Sequence, residues 1–159
     1  MDAFEWAARL EGSPLGEWMR ASALAYPVAN VVHLLGLVLL IGPIALLDLR
    51  LLGLARDLPL PRLSRILTAW AVVGLALLGA AGFLMFSADA GPLLANGIMQ
   101  AKLWVIALGV VNAVLFRALW NERLAQWDIA PPILGRAQAL ASIAIWVTAG
   151  VLGRWIAYS

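Results

Sequence analysis

Residues 26–53 read YPVANVVHLLGLVLLIGPIALLDLRLLG, and this stretch decides the class of the protein. Residues 28–47 are 20 consecutive uncharged positions. At about 1.5 Å of rise each, they cross a hydrocarbon layer of roughly 30 Å as one helix. Only Asn30 and His33 interrupt the apolar run, and Asp48 and Arg50, read as a pair, close it. The histidine is the only one in the chain. A membrane helix is the reading.

Composition agrees. Charged residues make up 13% of the chain against 64% hydrophobic, where a soluble domain carries about 25% charged. The 159 residues suit one compact helical unit. There is no cysteine, so disulfides, thiolate nucleophiles and iron–sulfur ligation are excluded. A net charge of +2 is too small to point to nucleic acid as a partner. The chain opens on an acidic lead with Asp2, Glu5, Glu11 and Glu17, unlike the basic start of a signal peptide, so the first span is expected to stay in the mature protein.

Residues 1–25 read as an interfacial amphipathic segment and 26–159 as a four-span bundle. Asp2 with Glu5 has capping-box spacing, Gly12 ends that helix, and Ser13-Pro14 starts another. Trp6, Leu10, Leu15, Trp18 and Met19 give the segment an apolar side for the headgroup plane; a plain solvent-exposed helix is the alternative. The spans fall at about 27–48, 66–86, 102–120 and 137–156. Gly74, Gly79 and Gly82 in the second, Gly109 and Ala113 in the third, and Ala149, Gly153 and Ala157 in the fourth allow close helix approach. The intervening loops, 50–65, 87–97 and 121–136, are short and carry proline or glycine. They predict an all-α transmembrane bundle running up-down-up-down.

Seven Lys and Arg residues flank the first and third loops against four on the opposite side. The positive-inside bias puts both termini outside. Tyr26, Asn30, His33, Lys102 and Arg154 then fall in the outer half of the bundle, a candidate ligand-binding group by position. The competing reading is that Asn30 and His33 only hydrogen-bond neighbouring helices. One histidine without cysteine makes no metal site by itself, and haem b would need a partner subunit, a second copy of the chain or a five-coordinate iron. On the inner side, Asp48, Arg50, Arg65, Arg117, Asp128 and Arg136 form a polar cluster. It is read as interfacial salt bridges and lipid-phosphate contacts rather than as a proton or anion path. Asn112, mid-span, reads as an interhelical hydrogen bond. No phosphate loop, nucleophile elbow or metalloprotease motif is present, and no catalytic residue is assigned.

The string HLLGLVLLIGPIALLDLRLLG at 33–53 resembles a family of small bacterial four-helix membrane proteins of unknown function. The early Trp18, Arg20, Ser22 and Tyr26-Pro27 match it too. So do Trp70 with Gly74, Ala101-Lys102 with Asn112, Trp127-Asp128, and the closing GRWIAY at 153–158. The resemblance implies the four-span bundle and a bacterial inner membrane, with both termini periplasmic by the charge bias. It implies no activity. Members often carry glutamate where this chain has Asn30 and often histidine where it has Arg117, so any metal or proton chemistry of an E-x-x-H pair is in doubt here. The leading reading is a non-catalytic accessory or oligomeric component, with lipid and either like copies or other membrane subunits as partners. A redox-associated subunit holding haem or quinone near His33 is the first alternative. A small solute or proton transporter is the second.

Overall fold

The computed structural model describes residues 2–158, apart from the side chain of Ala157, the last member of the expected small-residue face. Seven α-helices account for most of it: α1 (Ala3–Glu11), α2 (Pro14–Ala21), α3 (Ala25–Leu52), α4 (Leu60–Ala88), α5 (Ala90–Ala95), α6 (Gly97–Trp120) and α7 (Ile133–Trp155). Short 3₁₀ turns follow α6 (Asn121–Gln126) and α7 (Ile156–Tyr158), and no strand occurs among the described residues. Helices α3, α4, α6 (with its 3₁₀ extension) and α7 are long and apolar enough to cross a membrane. The most apolar window of α3 has a mean hydropathy of 2.3, yet only 11% of it is buried within the protein. Val38, Val114 and Trp104 point outward at 67%, 61% and 77% exposure. Such surface is stable against lipid and not against water. This is an all-α membrane protein.

The spanning helices outrun the lengths expected for them. α3 covers 28 residues, about 42 Å, and continues through Asp48 and Arg50. Gly53 stops it at φ 112°, where its N–H meets the Arg50 carbonyl and the Leu54 N–H reaches back to Leu49. α4 starts at Leu60 rather than 66, because Pro61 sits in its first turn, where proline costs no hydrogen bond. α6 starts at Gly97 because Asn96 caps it, its side-chain oxygen accepting from the N–H groups of Ile98 and Met99 at 2.8 and 3.1 Å. The expected loop at 87–97 is in fact the end of α4 followed by the short helix α5.

α3 and α4 form the tightest pair. A Cβ on Gly36 would stand 2.8 Å from the Leu78 nitrogen, and one on Gly74 would stand 2.5 Å from the Leu40 nitrogen. Backbone meets backbone there, the arrangement small residues permit when lipid removes the hydrophobic drive for helix association. α6 and α7 repeat it less closely, with Gly109 against the Trp146 ring, while Ala113 faces outward. Gly79 has nothing near it and is not part of the seam.

Contacts along each neighbouring pair run in opposite directions. Gly82 lies beside His33 and Leu51 clusters with Leu60 across α3 and α4. Gly153 lies beside Lys102 and Asn112 bonds the Gln138 carbonyl at 3.2 Å across α6 and α7. That last bond is the interhelical role expected of Asn112.

The N-terminal helices are docked on the end of α4 and on α5. The capping box of Asp2 and Glu5 is formed, at 2.7 and 3.3 Å. Ala7 and Met19 are fully buried. Arg20 donates to the carbonyls of Ala88 and Glu11, both at 2.8 Å, and the Gly91 N–H donates to the Glu11 carboxylate at 3.0 Å. Trp6 stacks on Phe86. Part of the apolar side of this segment is therefore committed to protein, while Trp18 remains exposed.

Candidate functional site

Of the five residues expected in the half of the bundle nearer the termini, two are half-buried and three are exposed. His33 is half-buried between α3 and α4, its Nδ1 3.2 Å from the Leu78 carbonyl oxygen and its ring against Gly82. Lys102 is half-buried beside Gly153 of α7. Asn30 is exposed instead of sharing the seam with His33. The α4-facing stripe of α3 runs Ala29, His33, Gly36 and Leu40, and Asn30 is turned about 100° from Ala29. Tyr26 is also exposed, and Arg154 folds back on its own helix end, donating to the Tyr158 hydroxyl and lying over its ring.

At the opposite end, the polar cluster is a clasp. Arg50 is 2% exposed yet fully engaged. Its Nη1 and Nη2 donate to the two carboxylate oxygens of Asp128 at 2.9 and 2.7 Å. Nε and Nη2 reach the Leu58 carbonyl at 3.1 and 2.9 Å, and Nη2 also reaches Arg56 at 3.1 Å. One guanidinium thus ties the end of α3 to the following loop and to the segment before α7, with the paired geometry that makes such bonds strong. Trp127 seals it: its indole N–H donates to the Leu51 carbonyl at 2.9 Å, and its ring fills the cradle over Gly135. Arg136 donates to the Leu52 carbonyl at 3.0 Å.

Arg117 is not in the clasp. It crosses to α4, donating to the Ser64 carbonyl at 3.1 Å and the Thr68 hydroxyl at 2.5 Å, and also to Asn121 at 2.9 Å. Arg65 is exposed and joins neither group. The Asp48–Arg50 pair expected from the sequence does not form. Two positions apart on a helix, the side chains leave in different directions. Asp48 turns to Ser142 on α7 instead, and is 6% exposed.

Hydrogen bonding from Arg50, aided by its charge, holds the Asp128 carboxyl below the usual carboxylate range. A lowered carboxyl pKa contributes stability above the ordinary value, near 3.9, and that contribution is lost as pH falls through the lowered value. Asp128→Asn is therefore expected to lower Tm at neutral pH. The gap to wild type should close on acidification into the range below pH 4, as thermal scans of the two proteins across pH would show.

A groove of about 360 Å³ opens between α6 and α7, lined by Leu119, Trp120, Leu134, Ala137, Gln138 and Ala141. Its lining is almost wholly apolar, and the Gln138 side-chain oxygen is already occupied by the Trp120 indole N–H at 2.5 Å. No group of three or more His, Cys, Asp or Glu side chains suited to a metal ion occurs among the described residues.

The model of a protein family of unknown function, DUF6644, matches residues 3–159. The chain belongs to that family. No curated protein and no solved structure matches it. Membership of DUF6644 covers nearly the whole chain and assigns it no activity. Least visible in the sequence of this DUF6644 chain is the burial of Ser64 and Ser142 on α4 and α7. Serine has no strong helix preference to mark it, and only the register between helices locates these two.

Proposed function

We propose that the chain is a non-catalytic component of a bacterial inner membrane that works within a larger assembly of like or unlike subunits, its helices alternating across the bilayer and both termini periplasmic. The observation behind this reading is that four polar groups in or beside the spans hold segments of the protein together. Arg50 binds Asp128, Arg117 binds α4, Asn112 binds α7 and His33 meets the Leu78 carbonyl. Polar groups in a span ordinarily mark either a pathway or interhelical bonding, and these four do the second.

Gentle extraction in native lipid discs, followed by mass measurement, tests the assembly. A complex containing several copies or a co-purifying subunit is expected, and a lone monomer without partner would sink the proposal. Orientation has its own test, because a chain without cysteine takes single labels cleanly. In intact spheroplasts, Glu17→Cys should react with an impermeant maleimide, whereas Asp57→Cys should react only after lysis. The reverse pattern would invert the topology.

One observation favours a second reading, a redox-associated subunit with haem or quinone beside His33. With Nδ1 placed at the Leu78 carbonyl, the ring is set to offer Nε2 as a ligand atom, the orientation usual for metal-binding histidines. A Soret band in purified protein, lost in His33→Ala, would establish haem there; a colourless preparation at full occupancy would remove it.

A further inference from the structure

Helix register brings Asp48 of α3, Ser64 of α4 and Ser142 of α7 to one level of the bundle. Leu51 clusters with Leu60 and Ala139, and Leu40 with Ala71 and Ala149. By that register, position 48 of α3 is opposite Ser64 of α4 and Ser142 of α7. All three are buried: Asp48 at 6% exposure, Ser64 at 1% and Ser142 at 7%. Ser142 lies beside the carboxyl. Asp48 Oδ2 and Ser64 Oγ are buried and have no hydrogen-bond partner among the described residues.

Neither orphan is a routine outcome. A helical serine or threonine usually bonds a carbonyl one turn back, as Ser87 does with Leu84 at 2.7 Å and Thr148 with Ala144 at 2.8 Å. Ser64 does not. A buried acid usually meets a cation, and each nearby cation is turned elsewhere. Arg50 on α3 binds Asp128, Arg117 on α6 binds the Ser64 carbonyl and Thr68, and Arg136 on α7 binds Leu52. Arg62 and Arg65 on α4 are exposed. What remains is one formal negative charge and a set of donors made only of oxygen. That is the chemistry of a hard, singly charged cation rather than of zinc or copper.

We propose that Asp48, Ser64 and Ser142 form an internal site for one positive charge, supplied by a sodium-sized cation or by a proton. The cation would coordinate both orphaned oxygens; the proton would sit on the carboxyl and make it a hydrogen-bond donor. Either makes the bundle a charge-binding unit, which goes beyond the assembly role proposed above.

The full-length protein in lipid discs separates the two sources. In one arm, sodium chloride replaces choline chloride at constant ionic strength. A sodium site raises Tm with sodium concentration. Asp48→Asn abolishes the rise, and Ser64→Ala, which keeps the carboxyl, moves half-saturation upward by about tenfold. In the other arm, infrared spectra in sodium-free buffer are taken across pH. A proton site gives a protonated-carboxyl band that Asp48→Asn removes and Ser64→Ala shifts. Sodium-indifferent Tm together with no band sensitive to Asp48→Asn would overturn the proposal, leaving an ionised carboxylate beside trapped water. A signal of either kind that Ser64→Ala leaves untouched would overturn the three-residue site.

Discussion

Gly74→Leu is expected to part α3 from α4 and to abolish the folded bundle, or to cost more than about 4 kcal/mol where folding survives. The reason is what a side chain would meet. A Cβ on Gly74 would be 2.5 Å from the Leu40 nitrogen, 2.6 Å from the Leu39 carbonyl carbon and 2.8 Å from the Gly36 carbonyl oxygen. All three are backbone atoms, so no rotamer change relieves the overlap; one helix must move. Moving it also withdraws His33 from Leu78 and breaks the packing of Leu40 with Ala71. Gly79→Leu, five residues along the same helix, is the control. Nothing lies within 4 Å of a Cβ there, and a change within about 0.5 kcal/mol is expected. Unfolding of both variants in detergent would measure the difference. Equal tolerance of the two substitutions would mean that the helices do not meet at Gly74.

Arg50→Ala should produce the second largest loss, about 3 kcal/mol. It deletes both bonds to Asp128 and leaves the Leu58 and Arg56 carbonyls without the donor that now reaches them. Asp128 itself is 42% exposed at its side chain, so water can recover the lost anion contact, which keeps the figure below that of a fully buried pair. Arg50→Lys tests whether charge or shape matters. An ammonium cannot present the two parallel donors of the guanidinium while also reaching Leu58, so lysine is expected to restore less than about half of the loss. Full rescue by lysine would show that the clasp works through charge alone. The proper readout is unfolding in detergent followed by circular dichroism, because eight tryptophans contribute to the fluorescence of the chain.

The four spanning helices are legible in the sequence because long uncharged runs have one physical solution in lipid. The capping box at Asp2 and the bond of Asn112 are legible for similar reasons: each follows from a residue type in a fixed local setting. Helix ends are harder. α3 runs through Asp48 and Arg50 because both side chains are buried inside the protein, and the partner of Arg50, Asp128, stands 78 residues away in the chain. α5 is hidden behind Asp89, Gly91 and Pro92, which read as a loop, although Glu11 from the first helix holds the Gly91 N–H in place. The candidate group around His33 illustrates the remaining difficulty. Spacing puts Asn30 one turn from His33, but only the position of the α3–α4 seam tells which of Ala29 and Asn30 faces inward. Gly36 and Gly74 set that seam, and the seam chooses alanine.

The docking of α1 and α2 has a consequence for how the protein is made. Arg20 closes on the Ala88 carbonyl, a partner 68 residues later in the chain. At about 5–20 residues per second, ribosomes deliver that partner several seconds after the first helices have emerged. The first two helices must therefore wait for their partner until α3 and α4 have been made. Whatever inserts this chain must keep Met19 and Ala7 from other company until the platform for them arrives.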